Sequence, residues 1–145
     1  MILTPIKMYE WIKTNGFPIA TNLQITRNFF WWEVLQNQTV SPGLCELENL
    51  AKIVEFLQLY REKYFGGNPV IITSGWRELL YNRKIGSSDG SFHPRGKAID
   101  FYVPRLSIDS VYEAMDKNHI GGVGDGRKRG FCHIDLGPAG RRWDY

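Results

Sequence analysis

The stretch SFHPRGKAIDF, residues Ser91–Phe101, decides how the middle of this chain folds. Its second half predicts a strand over Lys97–Val103, in which successive side chains alternate between a face that carries Asp100 and an opposite, apolar face. His93 precedes this strand by a turn that contains a proline and a glycine, so its side chain can fold back towards the carboxylate of Asp100. An imidazole and a carboxylate at this spacing suit two ligands of one zinc ion.

A second histidine offers the third ligand that such a site needs. The chain contains three histidines, and His133 lies in the patterned stretch RGFCHIDLG, where a final strand is predicted. If this strand lies antiparallel to the strand of Asp100, then His93, Asp100 and His133 converge, and catalytic zinc sites usually have three protein ligands and one open position. Taken singly, each residue is better explained as a hydrogen-bonded histidine or a surface aspartate, and only the three together favour a metal site. His119 lies outside both patterns and is expected at the surface or at a helix end.

Composition limits the classes of protein to which this chain can belong. Its 145 residues suit one domain, and its 43% hydrophobic and 23% charged residues are typical of a globular protein. A net charge of +3 is too small to indicate a nucleic-acid binder. Cys45 and Cys132 form no CxxC pair, so neither a thiolate metal site nor a disulfide framework is expected, and we interpret Cys132 as a small buried hydrophobe. No signal peptide is recognisable, and no apolar stretch approaches the ~20 residues that span a bilayer.

Apolar periodicity and turn residues predict an α+β domain with a small antiparallel sheet and helices packed on it. We expect one domain over residues 1–145, in which residues 1–25 form an N-terminal arm with a short amphipathic segment near Met8–Lys13. The predicted helices are Phe29–Gln36, Cys45–Phe65, Glu78–Lys84 and a last one that begins after a cap at Ser107 or Asp109 and ends near Asn118. The predicted strands are Pro69–Ser74, Lys97–Val103 and Gly130–Leu136. The segment Gly121–Gly124 is interpreted as a flexible or tightly turned entry to the last strand.

The motifs, in their order along the chain, resemble those of the M15 zinc peptidases, the group of D-alanyl-D-alanine carboxypeptidases and peptidoglycan endopeptidases. Residues Ser91–Asp100 match the SxHxxGxAxD signature of that group. The other matching elements are NF…E (Asn28, Phe29, Glu33), SGxR (Ser74–Arg77), N-x-x-x-G (Asn82, Gly86), GGxG (Gly121–Gly124) and FxHxDxG (Phe131–Gly137). The resemblance spans residues 28–143 and implies a fold like that of Hedgehog domains and D-Ala-D-Ala peptidases.

The resemblance also implies a role for each site residue. It implies that His93, Asp100 and His133 bind Zn²⁺. Arg77 is expected to reach the substrate, where a guanidinium can hold a carboxylate or the oxyanion of a tetrahedral intermediate. Ser91 is expected either to orient the first ligand or the substrate, or to form a turn. The implied reaction is zinc-assisted hydrolysis, in which a carboxylate transfers a proton from water to the leaving amine.

The general base is the point where this sequence departs from the family pattern. Many members have an acidic residue three positions before the second histidine ligand, but this chain has Gly130 there. Asp135 is the first candidate because, two residues along a strand, it shares a face with His133. Asp125 is the second candidate. Asp135 also suits the role of a hydrogen-bonding partner that holds a ligand in place.

These expectations define a leading function and an alternative. The leading function is a zinc metallopeptidase that hydrolyses an amide bond in the stem or cross-link peptides of peptidoglycan, as a monomer without nucleic-acid or membrane partners. Since no signal peptide is recognisable, we expect synthesis in the cytoplasm and action at the cell wall after release or as part of a virion, as in a phage endolysin. The alternative is a zinc-containing binding or virion structural domain that lacks a competent base. The sequence does not distinguish a carboxypeptidase from an endopeptidase.

Overall fold

The computed structural model describes residues 1–36 and 38–145. The α-helices are α1 (Pro5–Asn15), α2 (Trp31–Val34), α3 (Leu44–Lys63), α4 (Leu79–Lys84) and α5 (Ile108–Asn118). The strands are β1 (Ile71–Ser74), β2 (Ala98–Tyr102), β3 (Val123–Gly126), β4 (Phe131–Asp135) and β5 (Arg142–Asp144). Two single-turn 3₁₀ helices, His93–Arg95 and Arg127–Arg129, precede β2 and β4. Of the helices in the described residues, none is both long and apolar enough to cross a membrane.

The five strands form one sheet in the order β1-β2-β4-β3-β5. Neighbouring strands from β1 through β2 and β4 to β3 are antiparallel, and β5 pairs with β3 in parallel. The predicted α+β class is confirmed, and the parallel edge strand β5 makes the sheet mixed. The interpretation of Gly121–Gly124 as a flexible or turned entry is wrong for its second half, because Val123 and Gly124 lie in β3 and pair with β4.

The core lies between one face of the sheet and the helices. Ile99 and Phe101 on β2 are paired with Ile134 and Cys132 on β4, and all four side chains are fully buried. The prediction that Cys132 is a small buried hydrophobe is confirmed. The main helix α3 presents buried side chains at helical spacing, namely Leu47, Leu50, Ile53, Val54, Leu57 and Tyr60. α5 packs against β3 and β4, and α3 packs against β2, so both helices contribute to one core.

The N-terminal arm packs along α3. α1 begins at Pro5 because the side chain of Thr4 caps its first turn and proline is favourable there. Met8 and Ile12 are buried in the contact with the domain. α1 is therefore longer than the amphipathic segment predicted near Met8–Lys13.

The second helix is shorter than its prediction, Trp31–Val34 instead of Phe29–Gln36. Thr26 and Asn28, residue types that often cap a helix, precede it but do not cap it, since their side chains hydrogen-bond to Gln58 on α3. The remaining predicted helices and strands agree with the structure to within a residue or two at each end.

Candidate metal centre

One row of paired residues crosses the sheet and carries the site. Asp100 on β2 is paired with His133 on β4, and His133 is paired in turn with Gly124 on β3. Ser74 on β1 and Trp143 on β5 end the row. Paired residues of neighbouring strands project from the same face, so the row lies on the face opposite the helix-packed core. The antiparallel pairing of β2 and β4 therefore places His133 directly beside Asp100.

His93 is brought to this row by the turn His93–Arg95. Gly96 ends the turn with a φ of 71°, and a Cβ at this position would lie 2.4 Å from the backbone oxygen of Glu46. Both the conformation and the space therefore require a glycine. At the start of the turn, the hydroxyl of Ser91 accepts a hydrogen bond from the backbone N–H of His93 at 3.2 Å. This contact is that of a turn-forming serine.

The side chains of His93, Asp100 and His133 form one buried cluster, in which a candidate ligand atom of each lies within 4.8 Å of the others. Nδ1 of His93 donates to the backbone oxygen of Gly75 at 2.7 Å, so Nε2 is the ring nitrogen that is left for another ligand. Nε2 lies 3.4 Å from Oδ1 of Asp100 and has no hydrogen-bond partner among the described residues. A buried ring nitrogen without a hydrogen-bond partner is unfavourable unless a ligand satisfies it. The cluster could therefore hold a metal ion.

His133 connects two carboxylates. Its Nδ1 lies 2.8 Å from Oδ1 of Asp100, and its Nε2 lies 2.8 Å from Oδ2 of Asp135. Burial alone lowers the pKa of this imidazole, but the hydrogen bonds and charges of the two carboxylates raise it overall. Burial also opposes the ionisation of Asp100, yet the charges and hydrogen bonds of the two histidines hold its pKa well below the usual range. The carboxylate of Asp100 is therefore ionised, as a metal ligand must be.

Asp135 shares the site face with His133, but its carboxylate is fully engaged. Oδ1 accepts hydrogen bonds from the backbone N–H groups of Gly122 and Gly137 at 3.1 and 2.9 Å. Oδ2 lies 2.8 Å from Nε2 of His133 and accepts a hydrogen bond from Nη2 of Arg141 at the same distance. Burial raises the pKa of Asp135, but these donors outweigh it and the pKa is lowered. A carboxylate offers about four acceptor positions, so this one has none left for a water molecule.

Asp125, the second candidate for the base, projects from the other face of the sheet. It is paired with Cys132 rather than with His133, and Cys132 belongs to the helix-packed core. Nε and Nη2 of Arg127 donate to its carboxylate at 2.9 and 2.7 Å, and these hydrogen bonds lower its pKa. A cavity of about 480 Å³ beside Asp125 is lined by none of the three cluster residues. Strand alternation therefore separates Asp125 from the metal cluster.

Arg77 lies at the edge of the cluster on the β1 side. Its Nη2 is 3.4 Å from Oδ2 of Asp100. Its Nε donates to the hydroxyl of Ser74 at 3.0 Å, and its Nη1 donates to Oδ1 of Asn82 at 3.3 Å. The upstream motif residues thus form one hydrogen-bonded group that places a positive charge next to the buried aspartate.

His119 lies behind the cluster and supports the strand of His133. Of the two positions expected for it, the helix end is confirmed, because His119 is the C-cap of α5, and the surface is wrong, because it is only 4% exposed. Its Nε2 donates to the backbone oxygen of Asp135 at 2.8 Å, and its Nδ1 accepts a hydrogen bond from the hydroxyl of Tyr60 at 2.7 Å. Burial lowers its pKa, so the ring is neutral at neutral pH. Both partners are distant in the sequence, so no local pattern marks this residue.

Two aromatic rings cover one side of the cluster. Trp143 meets the ring of His133 edge to face with centroids 4.9 Å apart, and the ring of Tyr145 lies 6.2 Å from it. A Cβ on Gly124 would lie 2.8 Å from atoms of both aromatic rings, so the absence of a side chain there allows them to approach the sheet. A cavity of about 290 Å³ opens among these rings, Ser91 and His133. The cavity therefore opens beside His133, and part of its wall is aromatic.

The fold and the site define a class of protein, an α+β domain that carries, on one face of its sheet, a buried His-Asp-His group that could hold a metal ion. The family model for Peptidase M15 matches residues 28–135 of this chain. The chain belongs to the M15 peptidase family.

The chain is similar in sequence to peptidoglycan endopeptidases of several bacteria. The peptidoglycan L,D-endopeptidase MepK of Escherichia coli strain K12 is 35% identical over 125 residues, which cover 80% of this chain and 62% of the relative. MepK of Shigella flexneri gives the same values. The probable peptidoglycan L,D-endopeptidase MepK of Haemophilus influenzae is 36% identical over 58 residues, or 40% of this chain and 31% of the relative. The chain thus spans about three fifths of the length of the first two relatives.

Proposed function

We propose that this protein is a zinc-dependent metallopeptidase that hydrolyses an amide bond in the peptides of peptidoglycan. The observation that carries the proposal is the buried group of His93, Asp100 and His133, with an Nε2 atom of His93 that has no partner among the described residues. Membership of the M15 peptidase family supports peptidase activity. The names of the relatives, peptidoglycan L,D-endopeptidases, support both the substrate and the class of bond. We therefore propose an endopeptidase rather than a carboxypeptidase.

Zinc is the metal that this ligand set suits. Two imidazoles and one carboxylate are a common set for catalytic zinc, and three protein ligands leave one position open. His93 would bind through Nε2 and His133 through Nδ1, because the other nitrogen of each ring faces a fixed acceptor, the backbone oxygen of Gly75 or the carboxylate of Asp135. In such a site zinc supplies Lewis acidity, which polarises a carbonyl group and lowers the pKa of water.

We propose that Asp135 is a positioning residue rather than the general base. Its carboxylate accepts the hydrogen of Nε2 in His133, which selects the tautomer with a lone pair on Nδ1. Because two backbone N–H groups and one guanidinium also hold this carboxylate, it cannot turn towards the cavity without losing them. This environment supports the second of the two roles that strand alternation leaves open for Asp135.

Arg77 is proposed to stabilise the negative charge that develops on the carbonyl oxygen during hydrolysis. Its guanidinium is held by Ser74 and Asn82, so it needs little reorganisation when the charge appears. Its contact with Asp100 places it beside the cluster. Ser91 is proposed to act mainly through the turn that holds His93; a contact between Ser91 and substrate stays a prediction.

Residues 1–145 are proposed to act as one peptidase domain and as a monomer. The packing of α1 on α3 supports the inclusion of the N-terminal arm in that unit. Action at the cell wall follows from the proposed substrate. Release after cytoplasmic synthesis, or incorporation into a virion, stays a prediction.

Hydrolysis of purified muropeptides tests the proposed function. Cross-linked muropeptides that contain either L,D or D,D bonds are incubated with the protein, and the products are identified by mass spectrometry. We expect cleavage of the L,D bond, loss of cleavage with a chelator, and recovery when zinc is added back. Binding of one zinc ion per chain without cleavage of any muropeptide would instead favour the non-catalytic zinc-containing domain.

A further inference from the structure

A second guanidinium, that of Arg141, lies in the cavity beside the cluster, on the side away from Arg77. It lies 4.8 Å from the ring centroid of Phe92 and 4.5 Å from that of Trp143, so two aromatic rings hold it. The cavity of about 290 Å³ that Arg141 lines also includes His133. Arg141 is therefore the cation that a substrate in this cavity would meet next to the metal cluster.

One edge of this guanidinium is anchored and the rest is available. Nη2 donates to Oδ2 of Asp135 at 2.8 Å, the one side-chain hydrogen bond of Arg141 among the described residues. A Cβ on Gly137 would lie 2.8 Å from Nη1 of Arg141 and from atoms of the Phe92 ring, so a glycine there leaves room for the group. Since a guanidinium has five N–H donors, most of them remain free, and the side chain is 37% exposed.

The two arginines at the site differ in what they can offer a ligand. Arg77 is 15% exposed, and its three nitrogens face Ser74, Asn82 and Asp100. Arg141 is more exposed and has only one partner of this kind. A charged group that arrives with the substrate can therefore form a bidentate pair with Arg141 more readily than with Arg77.

We propose that Arg141 binds a free carboxylate of the substrate, next to the scissile bond, and so selects peptides that carry this carboxylate over those in which it is amidated. The proposal rests on the proposed peptidase function and specifies its substrate class. A planar guanidinium fixed between two rings recognises a carboxylate through two parallel N–H···O bonds, whereas a carboxamide offers one oxygen and no charge. The anchor on Asp135 holds the guanidinium in place before the ligand arrives.

The test uses two synthetic cross-link peptides that differ in one group, a carboxylate or a carboxamide next to the scissile bond. kcat/KM is measured for both peptides with the wild-type protein and with Arg141→Gln. We expect the wild type to prefer the carboxylate peptide by about 10- to 100-fold, and Arg141→Gln to lose that preference by slowing the carboxylate peptide much more than the carboxamide peptide. Arg141→Lys, which keeps the charge but not the bidentate geometry, should retain part of the preference.

Arg95→Gln provides a matched control, because Arg95 also contacts the Phe92 ring. Arg95 lies 5.3 Å from the ring centroid of Phe92 but is exposed and does not line the cavity, so Arg95→Gln should keep the wild-type preference. Zinc content is measured for every variant, because Arg141 also contacts Asp135. Equal slowing of both peptides by Arg141→Gln, or no preference in the wild type, would overturn the proposal.

Binding separates this proposal from that of peptidase activity. The same two peptides, N-methylated at the scissile amide so that they resist hydrolysis, are titrated into the zinc-loaded proteins by calorimetry. Tighter binding of the carboxylate peptide, lost in Arg141→Gln, supports carboxylate recognition even if the wild type hydrolyses neither parent peptide. Equal binding of both peptides by the wild type would exclude it, whatever the hydrolysis shows.

Discussion

The two faces of the sheet are buried to a similar degree but are filled in different ways. On the helix-packed face, Phe101 and Ile134 are 0% exposed and belong to the hydrophobic core. On the site face, Asp100 and His133 are 6% and 3% exposed, and their partners are charged or polar. Burial alone therefore does not distinguish core from site in this protein.

The distinction lies in how polar atoms are satisfied. Among the described residues, Nε2 of His93 is the one buried side-chain nitrogen or oxygen without a hydrogen-bond partner. A buried nitrogen without a hydrogen-bond partner normally destabilises a fold, and a bound metal ion would satisfy this one. Side chains that alternate along the same strands thus form the core on one face of the sheet and the candidate metal-binding group on the other.

The largest predicted effect comes from replacing one aspartate on each face of the sheet by asparagine. Asp100→Asn removes a charged ligand atom and should abolish both zinc binding and hydrolysis. Asp125→Asn, on β3 and on the opposite face of the same sheet, should keep both, because it disturbs only the pair with Arg127. Zinc content by atomic absorption and muropeptide cleavage check the pair. Cleavage by Asp100→Asn, or its loss in Asp125→Asn, would reverse the assignment of the faces.

A second pair compares adjacent residues of β2 by stability. Phe101 is 0% exposed and packs on Phe65 with ring centroids 6.0 Å apart, so Phe101→Ala should lower the free energy of unfolding by about 3–5 kcal/mol. Tyr102 is 36% exposed, and Tyr102→Ala should cost about 0.5 kcal/mol. Urea denaturation measures both values. Equal losses would mean that the alternation of β2 is not what divides the core from the site.

The sequence predicts the central part of this architecture because local patterns suffice there. β2 and β4 alternate clearly, and the turn with Gly96 returns His93 towards Asp100, so all three cluster residues are identifiable. β3 is not identifiable, because glycines disfavour a strand in isolation. Gly124 occurs in β3 since the rings of two aromatic residues from a distant part of the chain occupy the space of its side chain.

Local sequence patterns also do not predict the hydrogen-bond donors that surround Asp135. Alternation correctly places it on the face of His133, but its role depends on which donors surround it. Those donors come from Gly122, Gly137 and Arg141, whose positions depend on the loops before β3 and after β4. The same holds for His119, whose burial depends on a hydroxyl 59 residues away in the chain.

A smaller effect is expected when the partner of a ligand is changed rather than the ligand. Asp135→Asn keeps the size of the side chain but presents an amide where a carboxylate now faces His133 and Arg141, so the preferred tautomer of His133 is no longer stabilised. We expect zinc affinity to fall by about 10- to 100-fold, with residual activity when zinc is saturating. Competition with a fluorescent chelator measures the affinity.

Asp144→Asn is the control for Asp135→Asn, because Asp144 is an exposed carboxylate on the edge strand β5. It should leave the zinc affinity unchanged. Complete inactivity of Asp135→Asn at saturating zinc would return Asp135 to the role of general base, since a positioning residue does not abolish catalysis once the metal is bound.

The smallest predicted effect is the pH dependence of stability that His119 contributes from behind the site. Burial lowers its pKa in the folded protein below the value of 6.5 for an unperturbed histidine, so below about pH 6.5 the unfolded chain binds a proton that the folded chain does not. The stability that neutral His119 contributes is therefore present above pH 6.5 and is lost as the pH falls towards the folded pKa. His119→Gln cannot titrate, yet its amide can donate to Asp135 and accept from Tyr60. Below pH 6.5 the free energy of unfolding of the wild type should therefore fall relative to that of His119→Gln.

Contributions from the other histidines cancel in the difference between the two proteins. If this difference in the free energy of unfolding stays constant from pH 8 to pH 5, then burial does not lower the pKa of His119. The ring behind β4 would then be as accessible to water as the cavity on the site face.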